Sequence, residues 1–461
     1  MNTPILAIDI GSTKICAIIG QYSYGNIEVS GHGIAYSQGI KKGTITNIEL
    51  ASKAIKKAVD DAKRVSGINI TTATISISGV YAKSTNSTGV VNIPNNDISI
   101  NEINRVMQTA LYNANIPNEF DILHVLPYKF KIDEQDGIED PYGMNANRME
   151  VETHIIMTAK SSLENLKKAV NAAGIEIGKV VLSGYASSIA VTTKDDRERG
   201  VAVIDLGGQT SNLVIHSGNA IQYNDFLAVG SNHITNDLSI ALHTPLDTAE
   251  ELKVTRGSLL EQADSNQSVN LPIIGDETTY NKVSLDTVHN IIYSRMEEVL
   301  TILSKSIISS GLTDYLGSGI ILTGGMTHIE GTRELAQALM PNMPIRIGRP
   351  RELNRMIEEL DSPEYVTAIG LLFYEAGEYT QYELDRTKKM LHSKDYVPKD
   401  NVTDIVTGLN SMNNPKPKIA VSEPSFEDKA ANDLFIDLTK EPVSNNSNPV
   451  HTFMDWAKKI F

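Results

Sequence analysis

Cysteine is nearly absent from this chain. Cys16 stands alone among 461 residues, which excludes an internal disulfide and fits a reducing compartment. Tryptophan occurs once, as Trp456. The ten histidines are scattered, without the close pairing that a zinc site needs. No apolar run approaches the ~20 residues of a membrane-crossing helix, and the first residues enter an apolar strand pattern with no basic-then-apolar leader. The expectation is a protein that stays in the cytosol unless something anchors it. Positive charge is in deficit: 41 Lys and Arg against 56 Asp and Glu leave −15, which argues against nucleic acid as a partner. The remaining composition, 41% hydrophobic and 21% charged, is that of a soluble protein long enough for two or more cored domains.

The chain is organised around Val201–Gly218, VAVIDLGGQTSNLVIHSG. Val201 to Ile204 read as a buried strand, Asp205 ends it, Gly207 and Gly208 mark a tight turn, and Leu213 to Ile215 begin a return strand. Glycine lets backbone N–H groups approach an anion, and a turn of free amides suits phosphate. Asp205 repels phosphate but can hold a divalent cation through water. The pattern occurs twice. In Ile5–Gly20, ILAIDIGSTKICAIIG, Asp9 and Gly11-Ser12-Thr13-Lys14 take the corresponding places. Two such hairpins opening two domains would form facing jaws around a polyphosphate. A third element, the strand Gly319–Leu322 running into Thr323-Gly324-Gly325-Met326 with a helix from about Gly331, suits a nucleoside.

These three motifs, in this order, resemble the phosphate 1, phosphate 2 and adenosine motifs of the actin/Hsp70/sugar-kinase superfamily. Leu182–Ser187 and Tyr365–Gly370 resemble its two connecting helices. The resemblance implies an α/β, actin-like two-domain ATPase fold with ATP and Mg²⁺ as cofactors. It implies nucleotide contacts from Gly11, Ser12, Thr13, Lys14, Gly207, Gly208, Gln209, Thr210, Gly324, Gly325 and Met326, and a water-mediated Mg²⁺ site at Asp9 and Asp205. Glu250 and Lys253, an i, i+3 pair on one helix face, match the superfamily's ribose-and-base E-x-x-K.

Between the motifs, Asn47–Val65 carries a helical apolar stripe, and Ile75–Gly79 alternates as a strand. Residues 81 to 159 break the expected continuation. Val90–Ile93 reads as a short strand, Ser99 and Glu102 as a capping box opening a helix, and Asp121–Asp133 and Met149–Thr158 as strands. This β-α-β-β unit precedes a helix over Ser161–Ala173, for which Ser161 and Glu164 suggest another capping box. Asp195–Gly200 reads as a charged turn, and Gln262–Lys282 as an exposed strand-and-loop region before a long helix, Leu285–Ile308.

Past about Lys394 the composition shifts to Pro, Asn and Ser, which marks 394–448 as a disordered linker, with Leu434–Leu438 as an apolar island. In the last dozen residues Val450, Phe453, Met454, Ala457, Ile460 and Phe461 share one helical face. Trp456 flanks them, and Asp455, Lys458 and Lys459 lie opposite. That is the pattern of an amphipathic helix in a membrane interface. At roughly 18 Å it is too short to cross. One such helix binds weakly, and several on a polymer bind tightly.

An actin-like core with a lobe inserted in its first domain, a linker and a terminal amphipathic helix resembles the FtsA family of bacterial cell-division proteins. The resemblance implies the division 1–80, 161–199 and 366–393 for subdomain 1A, 81–160 for the inserted subdomain 1C, 200–229 and 294–365 for 2A, 230–293 for 2B, 394–448 for the linker and 449–461 for the helix. It implies a protein that polymerises through 1A, 1C, 2A and 2B contacts and binds FtsZ through 2B. Such a protein recruits later division proteins and sits peripherally on anionic lipids, at the cytoplasmic face of the inner membrane at the division site. Gln209 and Asn212 replace the Gly and Asp of many superfamily members, and Lys179 stands where actin has its water-orienting glutamine, so at most slow ATP hydrolysis is expected. A PilM-type pilus-assembly scaffold or a superfamily sugar kinase remains as the alternative.

Overall fold

The computed structural model describes residues 3–391 apart from 24, 219 and 261–266. The expected linker, its Leu434–Leu438 island and the amphipathic segment Val450–Phe461 lie outside the described residues. The first sheet starts with a meander of β1 (Thr3–Ile10), β2 (Lys14–Ser23) and β3 (Asn26–Tyr36), in which Asp9 opposes Cys16 and Ile8 opposes Ala17. The minimal hairpin of β4 (Ile40–Lys41) and β5 (Thr44–Ile45) leads into α1 (Ile48–Ser66). The Asn47 side chain caps α1 by accepting from Leu50 N–H, and Ala51, Ile55, Ala58, Val59 and Ala62 form its buried stripe. Strand β6 (Thr72–Ile77) then pairs in parallel with β1.

Here the chain leaves the first lobe. Strand β7 (Ala82–Asn92), α2 (Ile100–Asn113), β8 (Phe120–Ile132), β9 (Gln135–Ile138) and β10 (Arg148–Ala159) build an antiparallel sheet of order β7-β10-β8-β9, with α2 packed on it. The Ser99–Glu102 capping box is present. Strand β7 is much longer than the expected Val90–Ile93, because its first residues, AKSTNST, are polar on an edge strand and show no apolar alternation. Strand β10 passes directly into α3 (Lys160–Ala172). The expected capping box at Ser161 is not made: Ala159 is the N-cap, without a side-chain bond, and Glu164 instead pairs with Lys167. Strand β11 (Glu176–Leu182) rejoins the first sheet beside β6, completing the order β11-β6-β1-β2-β3.

Helix α4 (Ser183–Val191) connects the lobes. The segment read as a charged turn is a short helix, α5 (Lys194–Arg199), because Thr193 and Asp196 form a reciprocal cap. The second lobe repeats the first. A meander of β12 (Val201–Leu206), β13 (Ser211–Ser217) and β14 (Ala220–Leu227) is followed by α6 (Ser231–Leu242), α7 (Leu246–Arg256), the hairpin β15 (Ser268–Ile273) and β16 (Asp276–Ser284), and α8 (Leu285–Ser309). Strand β17 (Ile320–Thr323), α9 (Thr332–Leu339) and β18 (Ile345–Ile347) close a sheet of order β14-β13-β12-β17-β18. In both lobes an antiparallel meander extends through its first strand into two parallel strands. Helix α10 (Val366–Glu375) returns to the first lobe and packs on α4 and β1. Beyond it, Tyr382 and Leu384 enter the apolar core of the inserted unit, and Leu384 pairs with Val125 of β8. Among the described residues no helix is long and apolar enough to cross a membrane.

Candidate functional site: the cleft between the hairpin tips

The duplicated topology puts the turn of β1–β2 opposite the turn of β12–β13. The cavity between them holds about 440 Å³, within the range of a small-molecule site. Asp9, Gly11, Ser12, Thr13 and Lys14 line it from the first lobe. Asp205, Gly207, Gly208 and Thr210 line it from the second, with Gly324, Gly325 and Met326 after β17 and Glu250 and Lys253 on α7. The sequence reading named each of these. The tips touch: a Cβ on Gly208 would lie 1.8 Å from Thr13 Oγ1, so only glycine lets the second tip close on the first. Gly324 has φ +88°, and a Cβ there would lie 2.5 Å from Asp205 Oδ1, so the third turn also needs glycine.

Two expected positions lie elsewhere. Gln209 is not among the lining residues; its Oε1 accepts from Lys42 N–H at 2.7 Å, a contact between the lobes beside the cavity. Lys179 does not face the cleft either, because its Nζ lies 3.1 Å from Glu375. The lining residue at the start of α4 is Ser183, whose Oγ donates to the Ile77 carbonyl at 3.0 Å. The sequence reading also missed Ser78, Ser231, His328, Glu364 and Thr367 as lining residues. Thr367 lay inside the quoted Tyr365–Gly370 segment, whereas Glu364 carries no local signal.

Both cleft carboxylates are held by hydroxyls. Ser76 Oγ donates to Asp9 Oδ1 at 2.8 Å. Ser187 Oγ of α4 donates to Asp205 Oδ2 at 2.7 Å, and Thr367 of α10 lies 3.4 Å from the same oxygen. Burial pushes the Asp9 carboxyl up to about 6; the Ser76 bond offsets part of this and the Asp205 charge adds to it. Burial also raises Asp205, against its two hydroxyl partners. Both shifts are those of carboxyls withdrawn from water within one cleft. Among the described residues no group of three or more His, Cys, Asp or Glu is placed to hold a metal ion, so a cation at Asp9 and Asp205 would take most of its oxygens from water or a ligand.

Two lysines supply positive charge. Lys253 is 6% exposed, and its Nζ donates to Glu250 Oε2 at 2.7 Å and to Thr235 Oγ1 at 3.0 Å. Lys14 is ion-paired with Glu364, and its ammonium sits 3.6 Å from the centroid of the Tyr365 ring. Chemically the cleft offers backbone amides at two tips, two ammonium groups, a carboxylate pair for a cation and a glycine turn.

Known proteins resemble this chain. A family model described as cell division protein FtsA matches residues 202–370, and one described as the SHS2 domain inserted in FTSA matches residues 79–157. Cell division protein FtsA of Helicobacter pylori strain J99 is 36% identical, covering 99% of this chain and 99% of the relative. The Pseudomonas aeruginosa protein of that name is 33% identical over 80% of this chain and 88% of its own, and the Escherichia coli K12 protein 29% over 84% and 94%. Among solved structures, the PilM-PilN type IV pilus biogenesis complex superposes with a TM-score of 0.58 at 16% identity, covering 80% of this chain and 98% of the other. MreB5 of Spiroplasma citri bound to ADP gives 0.51 at 14% identity, covering 82% and 97%. The structural likenesses establish an actin-like fold shared by different proteins, whereas the full-length identity distinguishes among them: this chain belongs to the family of cell division protein FtsA.

Proposed function

We propose that the chain is an ATP-binding cell-division protein that polymerises and ties FtsZ filaments to the cytoplasmic face of the inner membrane at the division site. The nucleotide reading is carried by one observation, the convergence of both Asp-x-Gly tips, the Gly324-Gly325 turn and the Glu250–Lys253 pair on a single cavity. In this reading the tips and Lys14 bind the phosphates, and Gly324, Gly325, Met326, Glu250 and Lys253 bind the nucleoside. Asp9 and Asp205 hold Mg²⁺ through water; their raised carboxyls fit such a cation. The bound metal would offset phosphate charge. MreB5 of S. citri, which shares the fold, was solved with ADP. Asn212 stands beside the second tip where many superfamily members carry Asp, and its neighbours there, Ser78, Ser183 and Thr210, hold water without taking its proton, which supports turnover that is slow at most.

The remaining parts of the reading come from the family and the sequence. The second-lobe region 230–293 takes FtsZ, contacts among 1A, 1C, 2A and 2B build the polymer, and later division proteins join it. Val450–Phe461 binds anionic lipids peripherally, and a polymer multiplies that weak contact. Co-sedimentation with anionic liposomes in the presence of ATP, comparing the intact chain with one ending at Asn448, tests the anchor. Loss of binding on truncation is expected, and unchanged binding overturns it. Turnover at kinase rates, about 1–100 per second, overturns the slow-hydrolysis reading.

A further inference from the structure

We propose that Glu364 is a latch on Lys14 that sets how readily the cleft accepts a polyphosphate. The inference rests on the nucleotide reading and goes beyond it by naming a residue that competes with the ligand. Lys14 extends from the first tip, and its ammonium has two partners side by side in sequence: the Glu364 carboxylate and the face of the Tyr365 ring, 3.6 Å from the centroid. The partners differ in burial. Tyr365 is 5% exposed and its OH donates to Glu359 Oε1 at 3.4 Å, whereas the Glu364 side chain is 38% exposed and borders solvent. They also differ in chemistry. The ring holds a cation without neutralising it, whereas the carboxylate neutralises it and lends its own negative charge to the cavity.

A phosphate chain entering between the tips needs Lys14 as a counter-charge, and takes it by displacing Glu364 while Tyr365 keeps the ammonium in place. The stretch that carries the latch is tied to both other ligand-facing elements. The Pro363 carbonyl accepts from Gly324 N–H at 3.2 Å, and Thr367 meets Asp205 and Ser187. A ligand with several phosphate charges can exchange with Glu364; one with none has no means to, and does not need to.

Nucleotide affinity of the full-length protein, measured by calorimetry with Mg²⁺ present, tests this. Glu364→Gln is expected to bind ATP and ADP about tenfold more tightly, the effect of removing one charge a few ångströms from phosphate in a partly hydrated site. Adenosine affinity should stay unchanged, and Glu364→Asp, which keeps the charge, should stay near wild type. In a Lys14→Met background the gain from Glu364→Gln should shrink to about threefold or less, because only direct repulsion is left to relieve. Unchanged or weaker ATP binding by Glu364→Gln overturns the latch, as does an equal gain for adenosine. A wild-type protein that is folded by circular dichroism yet binds no nucleotide overturns the nucleotide reading itself, an outcome distinct from both.

Discussion

Replacing Glu383 with alanine should destabilise the protein far more than loss of any cleft residue. Glu383 is fully buried, and three donors from three elements meet on its carboxylate: His124 Nδ1 of β8 at 2.6 Å, Tyr374 OH of α10 at 2.8 Å and Tyr185 OH of α4 at 3.0 Å. The histidine proton is fixed by geometry. Leu182 N–H donates to His124 Nε2 at 3.1 Å, so Nε2 is an acceptor and Nδ1 carries the hydrogen. The phenols stay neutral donors, because burial, followed by the Glu383 charge, raises both tyrosines well above the usual range. Tyr185 OH can turn to Thr380 Oγ1 at 3.0 Å, so His124 and Tyr374 are the orphaned donors, at about 1–3 kcal/mol each; relief of the buried charge returns part of the sum, which leaves a loss of about 3 kcal/mol. Urea unfolding followed by far-UV circular dichroism reads this. A fall in midpoint of about 1 M is expected. In a double-mutant cycle, His124→Ala in the Glu383→Ala background should cost about 2 kcal/mol less than in wild type. A midpoint shift below about 0.3 M, or strict additivity, would refute the network.

Gly208→Ala should weaken ATP binding at least about tenfold while leaving the unfolding free energy within about 0.5 kcal/mol, because the added methyl meets Thr13 across the cleft rather than a core neighbour; equilibrium binding and urea melts check the split. Asp9 has a folded pKa raised to about 6 from 3.8, so the folded state binds its proton more tightly. Its contribution is present below the unfolded value and is lost as pH rises from about 4 through 6, by at most about 3 kcal/mol, since Asp9 keeps some contact with cleft water. Asp9→Asn should therefore be more stable than wild type at pH 7 and equal near pH 4. His154 has the opposite sign. Burial between Asn86 and Asn224 lowers it to about 4 from 6.5, so its contribution is present above the unfolded value and is lost as pH falls below 6.5. His154→Gln should remove about 2 kcal/mol of the difference between pH 7 and pH 4.5, read by the same melts.

What the sequence made legible follows from locality. The two hairpins, their aspartates and the α1 stripe are each set by contiguous residues with the right period, and the Ser99–Glu102 cap is a four-residue signal. The third turn likewise follows directly from a strand. The misreadings have local causes as well. At Ser161 the helix had already begun, since β10 enters α3 without a turn residue, and the edge strand β7 needs no apolar face along its first half. The positions that escaped are those assembled across distance. Glu364 reaches Lys14, Ser187 and Thr367 meet on Asp205, and Glu383 gathers His124 and Tyr185 only after both sheets exist. No spacing in one stretch encodes such meetings, because each residue is ordinary in its own neighbourhood.

The return of α10 and the segment after it to the first lobe has a consequence for the order of synthesis. The earliest sheet made contains β1, but the helix that covers it and the carboxylate that fastens β8 to α4 are encoded beyond the entire second lobe. At ribosomal speed the wait is roughly ten to forty seconds. During that interval the growing chain carries, uncovered, the face of β1, β6 and α4 on which α10 later packs, together with a His124 whose Nδ1 has no partner. The first lobe should therefore bind chaperones until translation has passed residue 391. A nascent chain stalled in the second lobe should be protease-sensitive in its N-terminal half, although every strand of that half has already been made.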